Sequence, residues 1–211
     1  MENYPKIKIL GIGDYGISVV EEISNNHIDN IEYLNLNTDW AFFNQHKNPS
    51  LKLGPRITKG IGSGGLSFWG KQAAEDSRKD IIEKIKDAGL IIIVTGLGGG
   101  TGSGVSPVVA SIAKELNIPA IAFVTIPLEI EGKTRYKNSE DSLKELKDVV
   151  GSLKIISLDK SRTMTSRTLH DKMYDLNSLM QNSVLEIINL LKEKSINEIS
   201  KLYINKNAFG S

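Results

Sequence analysis

Apolar positions along the chain follow two rhythms. Brief aliphatic and β-branched runs at 6–12, 31–36, 90–95, 118–125 and 153–158 are too short for buried helices and predict strands. Between them apolar residues recur at helical spacing. Ile17, Val20 and Ile23 mark a helix over 16–23, Phe68, Ala73, Ile81, Ile82 and Ile85 one over 67–88, and Leu143 and Leu146 one over 138–150. The last opens on Asn138 and Ser139 with acidic residues behind them, which caps a helix start and suits its dipole. A short helix is expected at 41–43 and another over 105–116. Leu169, Met173, Leu176, Met180, Val184, Ile187, Ile188 and Leu191 sustain a long helix over 168–194. Residues 37–39 and the glycine-rich 54–65 read as loops. Strands alternating with helices predict an α/β fold: a Rossmann-like, mostly parallel sheet with helices on both faces and ligands at the carboxyl ends of the strands.

Composition narrows the function. With 211 residues, 40% of them hydrophobic and 24% charged, the chain can build one main domain. Twenty-six basic residues against 25 acidic ones leave a net charge of +1, so no nucleic-acid partner is expected and an anionic ligand must be caught locally. No apolar run is long enough to span a bilayer, so no direct membrane insertion is expected, and the first residues lack signal-peptide features. The chain has no cysteine, which excludes disulfides and thiol-held metals. A cytoplasmic protein is expected, with no protein-held metal cluster.

The strongest chemical signal is the run Ile91-Ile-Ile-Val-Thr-Gly-Leu-Gly-Gly-Gly-Thr-Gly-Ser-Gly104. A strand enters it and a helix leaves it. Gly98, Gly99, Gly100, Gly102 and Gly104 let a ligand approach peptide N–H groups that a Cβ would shield, and the helix start adds unpaired donors and a positive dipole end. Thr101 and Ser103 offer hydroxyls, and Pro107 is expected in the first helical turn, where its missing N–H costs nothing. A flexible linker would not follow a buried strand and run straight into an apolar helix.

Other motifs are weaker. Gly11-Ile-Gly-Asp-Tyr-Gly16 matches G-x-G-x-x-G after the first strand, but a dinucleotide site wants an acidic residue about 20 positions on, and Asp39 comes late. Gly132-Lys-Thr134 imitates the end of a P-loop without its leading glycine or strand. Gly-x-Ser-x-Gly is absent, and His27, His46 and His170 form no constellation. Glu131 and Arg135 stand just past a strand end, where they either meet a sugar and a phosphate or form a solvated ion pair.

Taken in order, these blocks resemble the nucleotide-binding half of the tubulin superfamily, specifically its bacterial FtsZ branch. Gly98–Gly104 looks like the superfamily's signature loop, Ile7–Gly13 like its opening strand, Asn37-Thr38-Asp39 and 58–64 like its second and third loops, and 71–77 like the following helix. Pro127 with Glu131-Gly132-x-x-Arg135 is similar to the ribose-binding loop. The resemblance implies GTP or GDP as ligand, with Mg²⁺ accompanying the triphosphate. It implies phosphate contacts from Gly13, Asp14, Tyr15, Gly16, Ser18 and the 98–104 loop, with Asn37 also at the nucleotide. Pro127, Glu131 and Arg135 would lie near ribose and phosphate, and Asn177 near the base. It further implies a nucleotide-binding domain over 1–166, a central helix over 167–195 and a remnant of the catalytic loop over 196–211, without the family's second domain.

Two departures change the expectation. Where the FtsZ pattern has glycines and then asparagines, this chain has Asp14-Tyr15-Gly16-Ile17-Ser18. Where it carries two catalytic-loop aspartates, Glu198 stands at the first and Lys201 reverses the charge at the second, and an ammonium cannot accept a proton from water. The expected function is therefore guanine-nucleotide binding in, or modulation of, a cell-division or cytoskeletal filament. Hydrolysis is expected to be weak or partner-dependent, and the partner a full-length FtsZ-like protein or a second copy. The alternatives are a self-assembling GTPase using Glu198 and a degenerate homologue that has lost the nucleotide.

Overall fold

The computed structural model describes residues 6–157 and 169–193. Strand β1 (Ile7–Ile12) runs directly into helix α1 (Gly13–Ser24), and β2 (Ile31–Asn37) leads through a 3₁₀ turn at Ala41–Gln45 to β3 (Ser50–Lys52). Helices α2 (Ser67–Asp76) and α3 (Arg78–Ile85) precede β4 (Leu90–Gly96) and α4 (Gly100–Glu115). Strand β5 (Ala120–Thr125), α5 (Lys133–Val149), β6 (Ser152–Ile156) and α6 (Leu169–Glu193) complete the described fold.

All strand pairs are parallel, in the order β3-β2-β1-β4-β5-β6. Alternate side chains leave opposite faces of the sheet. Leu10, Ile12, Ile91 and Ile93 enter a core layer with α2, α3, α4 and α5, while Ile9, Leu90, Ile92 and Val94 enter a second with α1 and α6. The expected α/β architecture, covered on both faces, is the one observed. Because the chain passes from β1 outward to β3 and then returns to β4 beside β1, the strand order reverses between β1 and β4. A crevice opens there at the carboxyl ends, which is where such sheets bind ligands.

Several boundaries differ from expectation. Helix α4 begins at Gly100 rather than 105, so Pro107 lies inside the helix and not in its first turn. The glycines that read as loop are helical because they let helices meet backbone to backbone: a Cβ on Gly104 would overlap the Ser67 carbonyl of α2, and one on Gly70 would overlap the Gly100 carbonyl. The helix expected over 67–88 breaks at Ser77, whose hydroxyl accepts the Gly54 N–H at 2.9 Å. Phe68, expected in the core, is 60% exposed. Helix α5 starts before Asn138, and β3 went unread because three residues form no apolar run. Glu198 and the 196–202 stretch lie outside the described residues.

Candidate functional site

Two helix starts face one cavity. Helix α1 begins at Gly13, which takes φ +69°, and α4 begins at Gly100 after the β-region residue Gly99; neither N-cap residue supplies a side-chain hydrogen bond. The first backbone N–H groups of a helix have no partner within it, so both ends present free donors and positive dipole ends. Between them lies a cavity of ≈ 470 Å³ walled by Gly13, Asp14 and Tyr15 of α1 and by Gly99, Gly100, Thr101 and Gly102 of α4. Asn37 and Asp39 close it on the β2 side, and Pro127, Glu131 and Arg135 on the β5 side.

The remaining expected residues stand behind this wall. Gly16 lets α1 pack on β4, where a Cβ would overlap the Val94 carbonyl, and Ser18 donates within its helix to the Asp14 carbonyl at 2.9 Å. Gly98 takes φ +99°, and its N–H donates to the buried Ser103 hydroxyl at 2.7 Å. Ser103 thus braces the loop from inside instead of facing the cavity. Gly104 serves the α2 crossing. Asn177 follows Leu176, which lines the cavity, but is not itself part of the wall; its Oδ1 is buried without a hydrogen-bond partner.

Charge in the wall is compensated locally. Asn37 Nδ2 donates to Asp14 Oδ1 at 2.7 Å, while Asn37 Oδ1 accepts the N–H groups of Thr38 and Asp39. Asp39 Oδ1 accepts the Ala41 N–H at 3.0 Å. Glu131 meets Arg135 at 3.0 Å and accepts the Leu128 N–H at 2.8 Å, so the pair is ionic and partly exposed. The Thr101 and Thr38 hydroxyls share a hydrogen bond of 2.6 Å that ties α4 to the end of β2. Tyr15 lines the cavity yet packs on the apolar layer of α1 and α6, and its hydroxyl has no partner. Burial, and secondarily the Glu22 carboxylate, push its phenol well above the ordinary range.

Sequence reasoning had not assigned Asp39, Leu97, Met173, Leu176 or the 62–65 turn to the wall. The turn carried a signal in its glycines, of which Gly62, Gly64 and Gly65 all have positive φ. Met173 and Leu176 carried none, because apolar residues at helical spacing read as core.

A profile of the Tubulin/FtsZ family, GTPase domain, matches residues 6–165. The chain belongs to the tubulin/FtsZ family. Among FtsZ relatives, the cell division protein FtsZ of Buchnera aphidicola subsp. Baizongia pistaciae is 35% identical over 93% of this chain and 52% of its own length. That of Mycoplasmopsis pulmonis is 40% identical over 76% of this chain and 42% of its own. The chain therefore spans about half the length of these relatives. Among solved structures, an empty FtsZ dimer of M. jannaschii superposes with a TM-score of 0.86 at 29% identity, covering 93% of this chain and 58% of that one. A GDP-bound monomer of CetZ1 from Haloferax volcanii superposes at 0.71 with 25% identity, covering 84% and 58%. The opening strand, the glycine loop and the block from Pro127 to Arg135 all lie within the family match.

Proposed function

We propose that the cavity binds a guanine nucleotide, its polyphosphate held by the backbone N–H groups of α1 and α4, and that the protein acts in or modulates a cell-division or cytoskeletal filament. The observation that carries this reading is the convergence of two uncapped helix starts on one cavity in a chain of this family. Arg135, in the wall and paired with Glu131, would turn to a phosphate or ribose oxygen, and the unpartnered Asn177 Oδ1, next to the α6 wall, is an acceptor suited to a base N–H.

Among the described residues, the wall carries Asp14, Asp39 and Glu131 against the single guanidinium of Arg135. Added phosphate charge would be repelled there unless a divalent cation accompanied it. Oxygen donors on Asp14 and Asp39 suit Mg²⁺, which usually keeps waters and takes only one or two carboxylates beside phosphate. When bound, it would offset phosphate charge.

All three carboxylates of the wall already take part in its own hydrogen bonds or ion pair. Asp14 and Asp39 are the proposed Mg²⁺ donors and Glu131 is held by the Leu128 N–H, so we infer slow hydrolysis unless a partner contributes a carboxylate that orients the water. Ile61 and Ile130, 87% and 83% exposed at or beside the cavity rim, fit a face that meets a second copy or an FtsZ-like partner. Equilibrium titration with GTP, GDP and ATP, with and without Mg²⁺, tests the binding: guanine nucleotides should bind preferentially and more tightly with Mg²⁺. Absence of binding overturns the reading. Phosphate release rising steeply with concentration of the chain alone would overturn the slow turnover.

A further inference from the structure

Three hydroxyls meet where the end of β2, the 62–65 turn and the start of α4 come together. Thr38 Oγ1 and Thr101 Oγ1 stand 2.6 Å apart, and Ser63 Oγ lies 3.4 Å from the same Thr101 oxygen. Gly100 makes room for this meeting, because a Cβ there would fall 2.3 Å from Ser63 Oγ. Thr101 lines the cavity and is partly exposed, whereas Thr38 is fully buried. The Thr38 backbone is pinned on both sides: its N–H donates to Asn37 Oδ1 at 2.8 Å, and its carbonyl accepts the Gly62 N–H at 3.1 Å.

Each hydroxyl has one proton to give and two lone pairs with which to accept. If Thr101 gave its proton to Thr38, the Thr38 proton would be stranded, since that buried hydroxyl has no other partner among the described residues. The opposite arrangement satisfies both groups. Thr38 donates, Thr101 accepts, and the Thr101 proton is left to point into the cavity. Ser63, at its longer distance, can donate to the same oxygen without changing that outcome. An accepting hydroxyl is also the stronger donor, because successive hydrogen bonds polarise one another.

We propose that Thr38 is a positioning residue of the site, acting through Thr101 to fix a donor aimed at a ligand oxygen. The inference rests on the nucleotide reading above and concerns the chemistry of that one contact. A hydroxyl that offers its proton while its lone pairs are engaged favours an oxygen that only accepts. The non-bridging oxygens of a polyphosphate are of this kind, and their charge strengthens the bond.

GTP affinity is compared in the wild-type protein, Thr38→Val, Thr38→Ser, Thr101→Val and the variant that combines Thr38→Val with Thr101→Val, each checked for folding by urea unfolding. Thr38→Val should weaken binding about fivefold, while Thr38→Ser, which keeps the donor, should stay within about twofold of wild type. Once Thr101→Val is present, adding Thr38→Val should change affinity by less than about twofold, because no hydroxyl is left to position. Undiminished affinity in Thr38→Val, a loss of the same size in Thr38→Ser, or an equal loss in both backgrounds overturns the positioning role and leaves the nucleotide reading intact. Failure of the wild-type protein to bind GTP overturns both. A second measurement needs no variant: in NMR spectra of the wild-type protein the Thr38 hydroxyl proton should exchange slowly with water and show a cross-peak to the Thr101 β-proton. A Thr38 hydroxyl proton that exchanges as fast as an exposed one overturns its assignment as the donor, whether or not nucleotide binds.

Discussion

Pro107 has no N–H to offer the Ser103 carbonyl one turn earlier, and the Ser142 hydroxyl of α5 supplies the donor at 2.9 Å instead. The group is buried, so losing that donor leaves a carbonyl without water or protein. Ser142→Ala should lower stability by about 1–2 kcal/mol in urea unfolding. In a Pro107→Ala background an amide becomes available to the same carbonyl, and the cost of Ser142→Ala should fall to about half or less. At the cavity itself Arg135 is the test residue. If it leaves Glu131 for a phosphate or ribose oxygen, Arg135→Ala should weaken guanine-nucleotide affinity by about 1.5–3 kcal/mol in a binding titration, the worth of a charge-assisted contact. Unchanged affinity would assign it to the solvated pair with Glu131.

Elements here are placed by side chains that cross between them. Glu21 of α1 reaches beneath the loop before β3: its carboxylate accepts the Asn35 amide at 2.8 Å and the N–H groups of Asn48 at 2.9 Å and Lys47 at 3.1 Å. Glu21→Ala strands these donors, one of them on the fully buried Asn35. Stability should drop by about 2–3 kcal/mol, and amide exchange at Lys47 and Asn48 should speed up more than elsewhere. Such cross-links explain why some elements were legible and others not. The strands at 90–95 and 118–125 and the glycine loop between them announce themselves, because a run of β-branched residues followed by glycines has few other uses. Local pattern could not show that Gly100, Gly102 and Gly104 are helical, since glycine disfavours helices and only close backbone approach repays its presence, to the start of α2 for Gly100 and Gly104 and to the end of β4 for Gly102. Likewise, nothing near Ser77 signals a break, because its reason is the Gly54 amide arriving from a distant loop. In the site, residues with polar or glycine chemistry were legible one by one, whereas the distinction between wall and brace, as for Thr101 against Ser103, required the fold.

Across the molecule, the end of the sheet opposite the cavity is fastened by charge. Lys8 is nearly buried in β1, bonded to the Lys84 carbonyl at 2.6 Å and to Asp87, with Glu32 at 3.2 Å; Lys6 pairs with Asp87 and Glu32 from outside. The hydrogen bond from Lys6, then that from Lys8, holds the Asp87 carboxyl well below its usual range. Its folded pKa lies under the unfolded value of about 3.9, so its contribution is complete above that pH and is lost as pH falls toward the folded value. Asp87→Asn should therefore reduce the melting temperature at neutral pH and flatten its decline below about pH 4. Identical slopes for wild type and variant would remove Asp87 from the acid response.

Asn138 of α5 donates to the Gly65 carbonyl at 3.0 Å and to the Gly98 carbonyl at 3.1 Å, and accepts from the Ser67 hydroxyl at 3.2 Å. One carboxamide thus laces two neighbouring strips of backbone, the turn that carries Gly65 and the loop that leads into α4, to the helix that also bears Arg135. Neither strip can breathe alone while that stitch holds, so the two should loosen in one shared rhythm. Cutting the stitch with Asn138→Ala would let each strip keep its own time.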